Sequence, residues 1–431
     1  MFNLIRNQLQ VYSKKANLKP VGQVLSSQLI LQALSFGIGI ILVRELPKTE
    51  YAIYSILTSI LAILSILSTS GIMIGFTKIG GEIWNDIPKL SSLIKTASSI
   101  RVYLTAGAFL ISGIYGYILL SEQNISLPQI IFFLICVLLV VIPEIFKAFI
   151  SEALLLRKEI FTVQVVQLLI QASRLLSLGL IFLFYKELLS ISLVLIITVV
   201  STWIGYFYIK NKSAHLFDTK AQIDVEYKKT LLHYIKLIWH NELFFAFQGQ
   251  ISIFLIGIFS TSNSLADLGA LSRFSIIFNV LASLIGNIYG PKFAINQNIK
   301  HLKKQFYQLV ILLLVSSVFI LSIANIFPNL FLWVLGPKYS ELNIELSLVL
   351  ILGSLNLMVT GISSLNQTKG WIKYRTYFEI PMNIVVLACG IYVLDISNLK
   401  NILYLSILVS CANIILCITN SVYGFKTYLK T

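Results

Sequence analysis

The sequence predicts an all-α integral membrane protein of about twelve transmembrane helices, and three observations carry that prediction. Apolar residues fill 57% of the 431 positions, and the mean hydropathy is +0.85. Charged residues make up only 12%, about half the share found in a soluble domain. Apolar runs of about 20 residues, the length that crosses a bilayer as a helix, recur along the whole chain. Membrane β-strands would instead be short and alternating.

The net charge of +15 is sorted by side. With the N-terminus placed inside, 26 Lys and Arg fall on the inner loops and tails. Five fall outside: Arg44, Lys48, Lys186, Lys338 and Lys400. By the positive-inside rule both termini lie in the cytoplasm. The basic surplus is therefore a topology signal rather than a nucleic-acid footprint, and it leaves room for a secondary hold on anionic lipid. The basic N-terminus does not read as a cleaved signal peptide: the apolar segment after Pro20 is too long, and no small-x-small site follows. The four cysteines (Cys136, Cys389, Cys411 and Cys417) fall inside apolar spans and read as core residues. The four histidines (His215, His233, His240 and His301) have no metal-ligand spacing, and no cofactor is implied.

Taken in order, the spans are residues 21–43, 51–76, 97–120, 129–153, 160–184, 188–209, 237–259, 267–290, 306–327, 342–363, 376–394 and 401–422. Span 1 carries Gln28, Gln32 and Ser35 at i, i+4, i+7, on one helical face. Span 4 contains Pro143, which kinks a helix and frees a carbonyl for water or substrate. Beside it, Glu144 and Lys147 are spaced to pair across one turn. They read either as a structural ion pair or as a gate or coupling-ion site. Span 5 holds the strip "QVVQLLIQASR", in which Gln164, Gln167, Gln171 and Arg174 share an arc of about 80°. A charge at the bilayer centre costs about 2.5–3.5 kcal/mol on insertion scales, so this stripe must face water or neighbouring helices. It is either a lumen wall offering donors to phosphate and sugar, or glue between helices with Arg174 paired to a buried carboxylate. Span 7 opens "WHNELFFAFQGQ", where Asn241 and Gln248 share a face and Glu242 lies near the inner surface as a second gate or coupling-ion candidate. In span 8, Arg273, Asn279, Ser283 and Asn287 lie within about 120°, and Arg273 lies near enough to the outer end to snorkel. Arg174 and Arg273 are the two cations that the loop tally leaves within spans.

The longest loop, 210–236, is basic and follows span 6. It predicts an N-terminal lobe (1–209), an amphipathic cytoplasmic linker (210–236) and a C-terminal lobe (237–431). "EYAIYSILTSI" laid over "DLGALSRFSII" pairs Glu50 with Asp267, Ala52 with Gly269, Ser55 with Ser272, Thr58 with Ser275 and, further on, Phe76 with Phe293. Such a parallel repeat would place a substrate path between its halves, near the midplane.

Three stretches resemble polysaccharide flippases: "ILVRELPKTEYAIYSILTSILAILSILSTSGI", "IGIFSTSNSLADLGALSRFSIIFNVLASLIGNIYGPKFA" and "LWVLGPKYSELNIELSLVLILGSLNLMVTGISSLNQTKG". With the span count and charge pattern, the resemblance covers nearly the whole chain. It is to the Wzx-type exporters of O-antigen and capsule repeat units, within the MATE-like (MOP) flippase superfamily. It implies a V-shaped pair of six-helix lobes in the bacterial inner membrane. The implied substrate is an undecaprenyl-pyrophosphate-linked oligosaccharide, moved outward by alternating access. The implied partners are the glycosyltransferases and polymerase of the same pathway, around a monomeric transport unit. The sequence departs from the cation-coupled drug exporters in having no carboxylate in span 1, and from the lipid II flippases in lacking two further spans.

Transport fits better than catalysis. The outer loops are too short to hold a catalytic centre, and no GxxxxGK[ST] phosphate loop is present. The rival to a flippase is an exporter of small amphiphilic compounds, or a flippase for another lipid-linked cell-wall precursor.

Overall fold

The computed structural model describes residues 18–185, 187, 189–216, 218, 221–285, 289, 290, 293 and 298–428, and every regular element among them is helical. The first six spans become α1 (Leu18–Glu45), α2 (Lys48–Thr69), α4 (Ile87–Ser121), α5 (Leu127–Leu156), α6 (Ile160–Phe184) and α7 (Ile191–Lys212), with a short α3 (Ile72–Ile83) after α2. The later spans become α8 (Val225–Gln248) with α9 (Ile251–Phe259), α10 (Ser262–Leu271) with α11 (Ser275–Leu284), α12 (Ile299–Ile326), α14 (Asn343–Thr368), α15 (Lys373–Val393) and α16 (Leu399–Tyr428). The short α13 (Pro328–Leu335) follows α12. Ten of these stretches are long and apolar enough to cross a membrane, and the bent pair α8–α9 adds an eleventh. Within α15, Tyr377–Val393 is a shorter apolar stretch. A multi-pass, all-helical membrane fold results.

Helix starts follow local chemistry. Asp86, Asp224 and Asn298 each accept backbone N–H bonds from the first turn of α4, α8 and α12, satisfying donors that the helix itself leaves open. Three expected spans are broken. The second ends at Thr69 rather than running to residue 76, because Gly71 takes a φ of +71°. A Cβ there would sit 2.6 Å from the carbonyl oxygen of Tyr234, so a side chain would be strained and would also push α8 away. The seventh bends by 48° between α8 and α9. The eighth passes through a 3-10 turn at Ser272–Phe274.

The tally of intramembrane cations also needs correction. Arg101, counted with an inner loop, is held inside α4 with 3% exposure. Its Nη1 donates to the carbonyls of Glu144 (2.9 Å) and Ile145 (3.2 Å). Arg375, likewise counted with a loop, lies in the first turn of α15 and pairs with Glu379. Arg375 was missed because α15 begins before its apolar run, whereas Arg101 and Lys147 lie inside the spans 97–120 and 129–153 and were counted with the adjoining inner loops.

Pro143 does free a carbonyl, but neither water nor substrate is needed to satisfy it. The residue deprived of its partner is Leu139, four positions earlier, and its carbonyl accepts from Trp203 Nε1 on α7 at 3.1 Å. Trp203→Phe is therefore expected to cost about 1 kcal/mol or more, since an unsatisfied carbonyl in lipid has no alternative partner. Pro143→Ala restores the helical N–H and should suppress that cost. Thermal unfolding midpoints of the two single variants and the double variant check this, and equal losses in W203F and the double variant would refute it.

Packing joins α1 to α6, α2 to α4, and α5 to α7 among the first helices, and α14 to α12 and α16 among the later ones. The later helices meet the earlier ones where α8 lies on α2, α3 and α4, α10 lies on α2, and α11 lies on α1. At the helix ends that the charge count assigns to the outside, polar contacts bind these groups together. Lys48 Nζ lies 2.8 Å from Asp267 Oδ1. Arg44 Nε donates to the Val334 carbonyl at 2.9 Å, and Lys338 Nζ donates to the carbonyls of Arg44 and Leu46 at 2.9 and 3.0 Å.

Candidate functional site

A polar cavity of about 430 Å³ lies among α1, α2, α5, α6 and α7. Packing builds it from helical periodicity. Gln28 and Gln32 come from one face of α1, Glu144 and Lys147 from one turn of α5, and Gln167, Gln171 and Arg174 from the stripe on α6. With Ser35, also on α1, eight of the residues singled out in the sequence thus share one wall. Gln164, one turn further along the same stripe, is buried and is not part of that wall. The stripe divides along its length, one end packed and the other lining the cavity.

Two cations face one carboxylate here. Lys147 Nζ bonds to Glu144 Oε1 across one turn, so the expected ion pair forms and also lines the cavity. Arg174 has no carboxylate paired to it among the described residues. Its guanidinium interacts electrostatically with the Tyr54 side chain, while its Nε is buried without a partner, as is Oε1 of Gln171. The carboxylate partner that the glue reading gave Arg174 is not found among the described residues, and a phenol lies there instead. A guanidinium so placed keeps its positive charge in the cavity wall.

Arg273 does not line this cavity. Its Nε donates to Tyr51 Oη at 2.8 Å, and its guanidinium lies over the rings of Tyr51 and Tyr54, 5.8 and 5.4 Å from their centroids. It rests against Gly39 of α1, where a Cβ would fall 2.9 Å from its Cδ. Rather than snorkelling, it bridges α11's end of the molecule to α2. Asn279 is exposed on α11, and Glu242 is half-buried in α8; neither reaches the cavity wall. Asn287 lies outside the described residues.

The sequence reading missed Tyr54, Thr58, Thr198 and Thr202, all in the wall. Tyr54 is central, since the Arg273 guanidinium lies over its ring and Arg174 interacts with it electrostatically. The signal was its i, i+4 spacing with Thr58. The threonines were easy to overlook because their hydroxyls bond back to their own helices, as Thr198 Oγ1 does to the Val194 carbonyl at 2.8 Å.

A second, apolar crevice of about 590 Å³ opens between α1 and the pair α11 and α12. Phe36, Ile277, Leu281 and Phe319 line it, and so does Gln32. Gln32 therefore belongs to both the polar cavity and the crevice.

No family model matches the sequence, and no curated protein matches it. Solved structures do match along nearly the whole chain. A eukaryotic MATE transporter, AtDTX14, aligns with a TM-score of 0.60 at 15% identity over 94% of each chain. The lipid II flippase MurJ, in an inward closed conformation, aligns with a TM-score of 0.62 at 12% identity, over 94% of this chain and 89% of that one. The fold is that of MATE transporters and of MurJ. An inward-facing multidrug resistance MATE transporter of the MOP superfamily gives a TM-score of 0.57 at 14% identity, over 94% of this chain and 99% of its own. These neighbours are transporters and a flippase rather than enzymes. At such identities the likeness extends to the path of the backbone, not to the residues of the cavity.

Proposed function

We propose that this chain is a flippase for lipid-linked oligosaccharide, resembling the Wzx-type exporters, with both termini in the cytoplasm of a bacterial inner membrane. Two six-helix lobes, residues 1–209 and 237–431, joined by the 210–236 segment, would rock about the crevice between α1 and the pair α11 and α12, with the polar cavity in the wall of the first lobe. The observation that carries the reading is the junction at Gln32. A cavity with two cations, one carboxylate and several amides meets an apolar crevice between α1 and α11. An amphiphile with a pyrophosphate-linked polar head and a polyprenyl tail needs such a pair of adjoining compartments. Arg174, Lys147 and the glutamines take the head, and the crevice takes the tail. A substrate with about two negative charges leaving a negative interior gains roughly 4–5 kcal/mol per 100 mV, so the potential alone can drive export. Glu144, with its partner Lys147, is the residue through which proton coupling would run.

MATE exporters share the fold, so export of small amphiphilic cations is the competing reading, and a flippase for another lipid-linked cell-wall precursor is its variant. Arg174 without a carboxylate opposes a cationic cargo. Proteoliposomes holding the purified chain separate these readings. The expected result is transfer of undecaprenyl-pyrophosphate oligosaccharide between leaflets, with no export of ethidium. Ethidium export without lipid transfer would overturn the proposal. Glycosyltransferases and a polymerase of the same pathway are the partners this function implies.

A further inference from the structure

A second polar cavity lies among the later helices and has a different electrostatic character. It encloses about 320 Å³ between α8, α9, α14, α15 and α16, at the small end of ligand pockets, which run from about 300 to 1,000 Å³. Its charged wall residues cancel each other: Arg375 Nε donates to Glu379 Oε2 at 2.6 Å, one turn along α15. Arg375 is held further by Ser363 Oγ. The remaining polar wall is neutral. Ser410 Oγ donates to Asn356 Oδ1 at 3.0 Å, and the hydroxyls of Ser252 and Ser406 lie 2.8 Å apart.

Two independent features mark this as more than a packed polar seam. Asn413 Oδ1, in the wall, is buried with no hydrogen-bond partner, an unmet acceptor that a bound donor would satisfy. The 48° bend between α8 and α9 also falls here, with Gln248 and Gly249 in the lining. Interrupted helix at membrane depth is tolerated where it lines a cavity, and transporters form binding sites at such interruptions.

We propose that this cavity binds one uncharged ring bearing hydroxyl or acetamido groups, the chemistry of a single sugar residue. The proposal rests on the flippase reading for its place in the cycle, but not for the binding itself. With Glu379 paired to Arg375, the wall carries no net charge, so neither a free cation nor a free anion is favoured there. A neutral ring instead finds side-chain amides, which offer a donor and an acceptor side by side, and hydroxyls, which do either. The two cavities thereby divide the head group by charge: the phosphate end beside Arg174, and a sugar ring beside Asn356 and Asn413.

Saturation-transfer NMR on the full-length protein in nanodiscs, with N-acetylglucosamine as the probe, tests this. Transfer to the ring and acetyl protons is expected from the native protein. A drop of about fivefold or more is expected in Asn413→Leu and in the gentler Ser410→Ala, with folding checked by thermal midpoint. Equal transfer in native and both variants would overturn the site, as would loss of transfer on exchanging potassium for sodium, which would indicate a cation site. If the native protein moves lipid-linked oligosaccharide but gives no transfer, the sugar site fails and the flippase reading stands. If the sugar binds and no lipid-linked substrate moves, the flippase reading fails and the site stands.

Discussion

Arg174→Ala is expected to slow transfer of lipid-linked oligosaccharide by roughly tenfold to a hundredfold while leaving the protein inserted and folded. The magnitude follows from the bond lost. Hydrogen bonds to charged groups contribute about 1.5–3 kcal/mol, and each 1.4 kcal/mol is about tenfold. Folding should suffer little, because Arg174 is not part of an ion pair whose loss would strand a buried carboxylate. It interacts electrostatically with the Tyr54 phenol, and its Nε has no hydrogen-bond partner. Arg174→Lys keeps the charge but not the planar fork, so its rate should fall between native and alanine. Initial rates in proteoliposomes, beside thermal midpoints, read both effects. Native-rate transfer by a folded R174A protein would remove this residue from the mechanism.

A disulfide between Ser55→Cys and Gly269→Cys is expected to stop transport outright under oxidising conditions, with recovery on reduction. These positions lie where α10 presses on α2. A Cβ built at Gly269 falls 3.2 Å from Ser55 Cβ, a few tenths of an ångström short of the range a disulfide spans, about 3.5–4.5 Å, so a small outward shift admits the bond. The staple would sit beside the Tyr51 Oη to Gly269 carbonyl bond of 3.3 Å and near the Lys48–Asp267 pair. If the halves must part at this end to release cargo, a covalent bond there holds the carrier in one state. Mass spectrometry establishes that the bond has formed. Undiminished transport by fully cross-linked protein would mean that α2 and α10 stay together through the cycle.

Much of the fold was legible because membranes simplify the code. Length and uniform apolarity alone mark a spanning helix, and each of the twelve expected segments coincides with a helix or a broken helix. The breaks at Gly71 and at Gly249–Gln250 were not legible, because each depends on what packs alongside. Gly71, for example, is required by the Tyr234 carbonyl, more than 160 residues away in sequence. The site divided in the same way. Stripes on a single helix, such as Gln167, Gln171 and Arg174, follow from angular spacing and do share a wall. Whether Arg273 faced that cavity or a partner helix depended on Tyr51 and Tyr54, which carry no charge pattern to betray them. Arg375 was hidden in a loop count because its carboxylate partner lies one turn inside the apolar run.

The place of Gln32 in two compartments has a mechanical consequence. Helix α1 is a partition with a wet side and an oily side. No tilt or slide of α1 can enlarge the polar chamber without reshaping the greasy slot behind it. A cargo whose two ends differ in solubility would therefore be gripped and released at both ends by one moving part, with no second signal needed to keep head and tail in step.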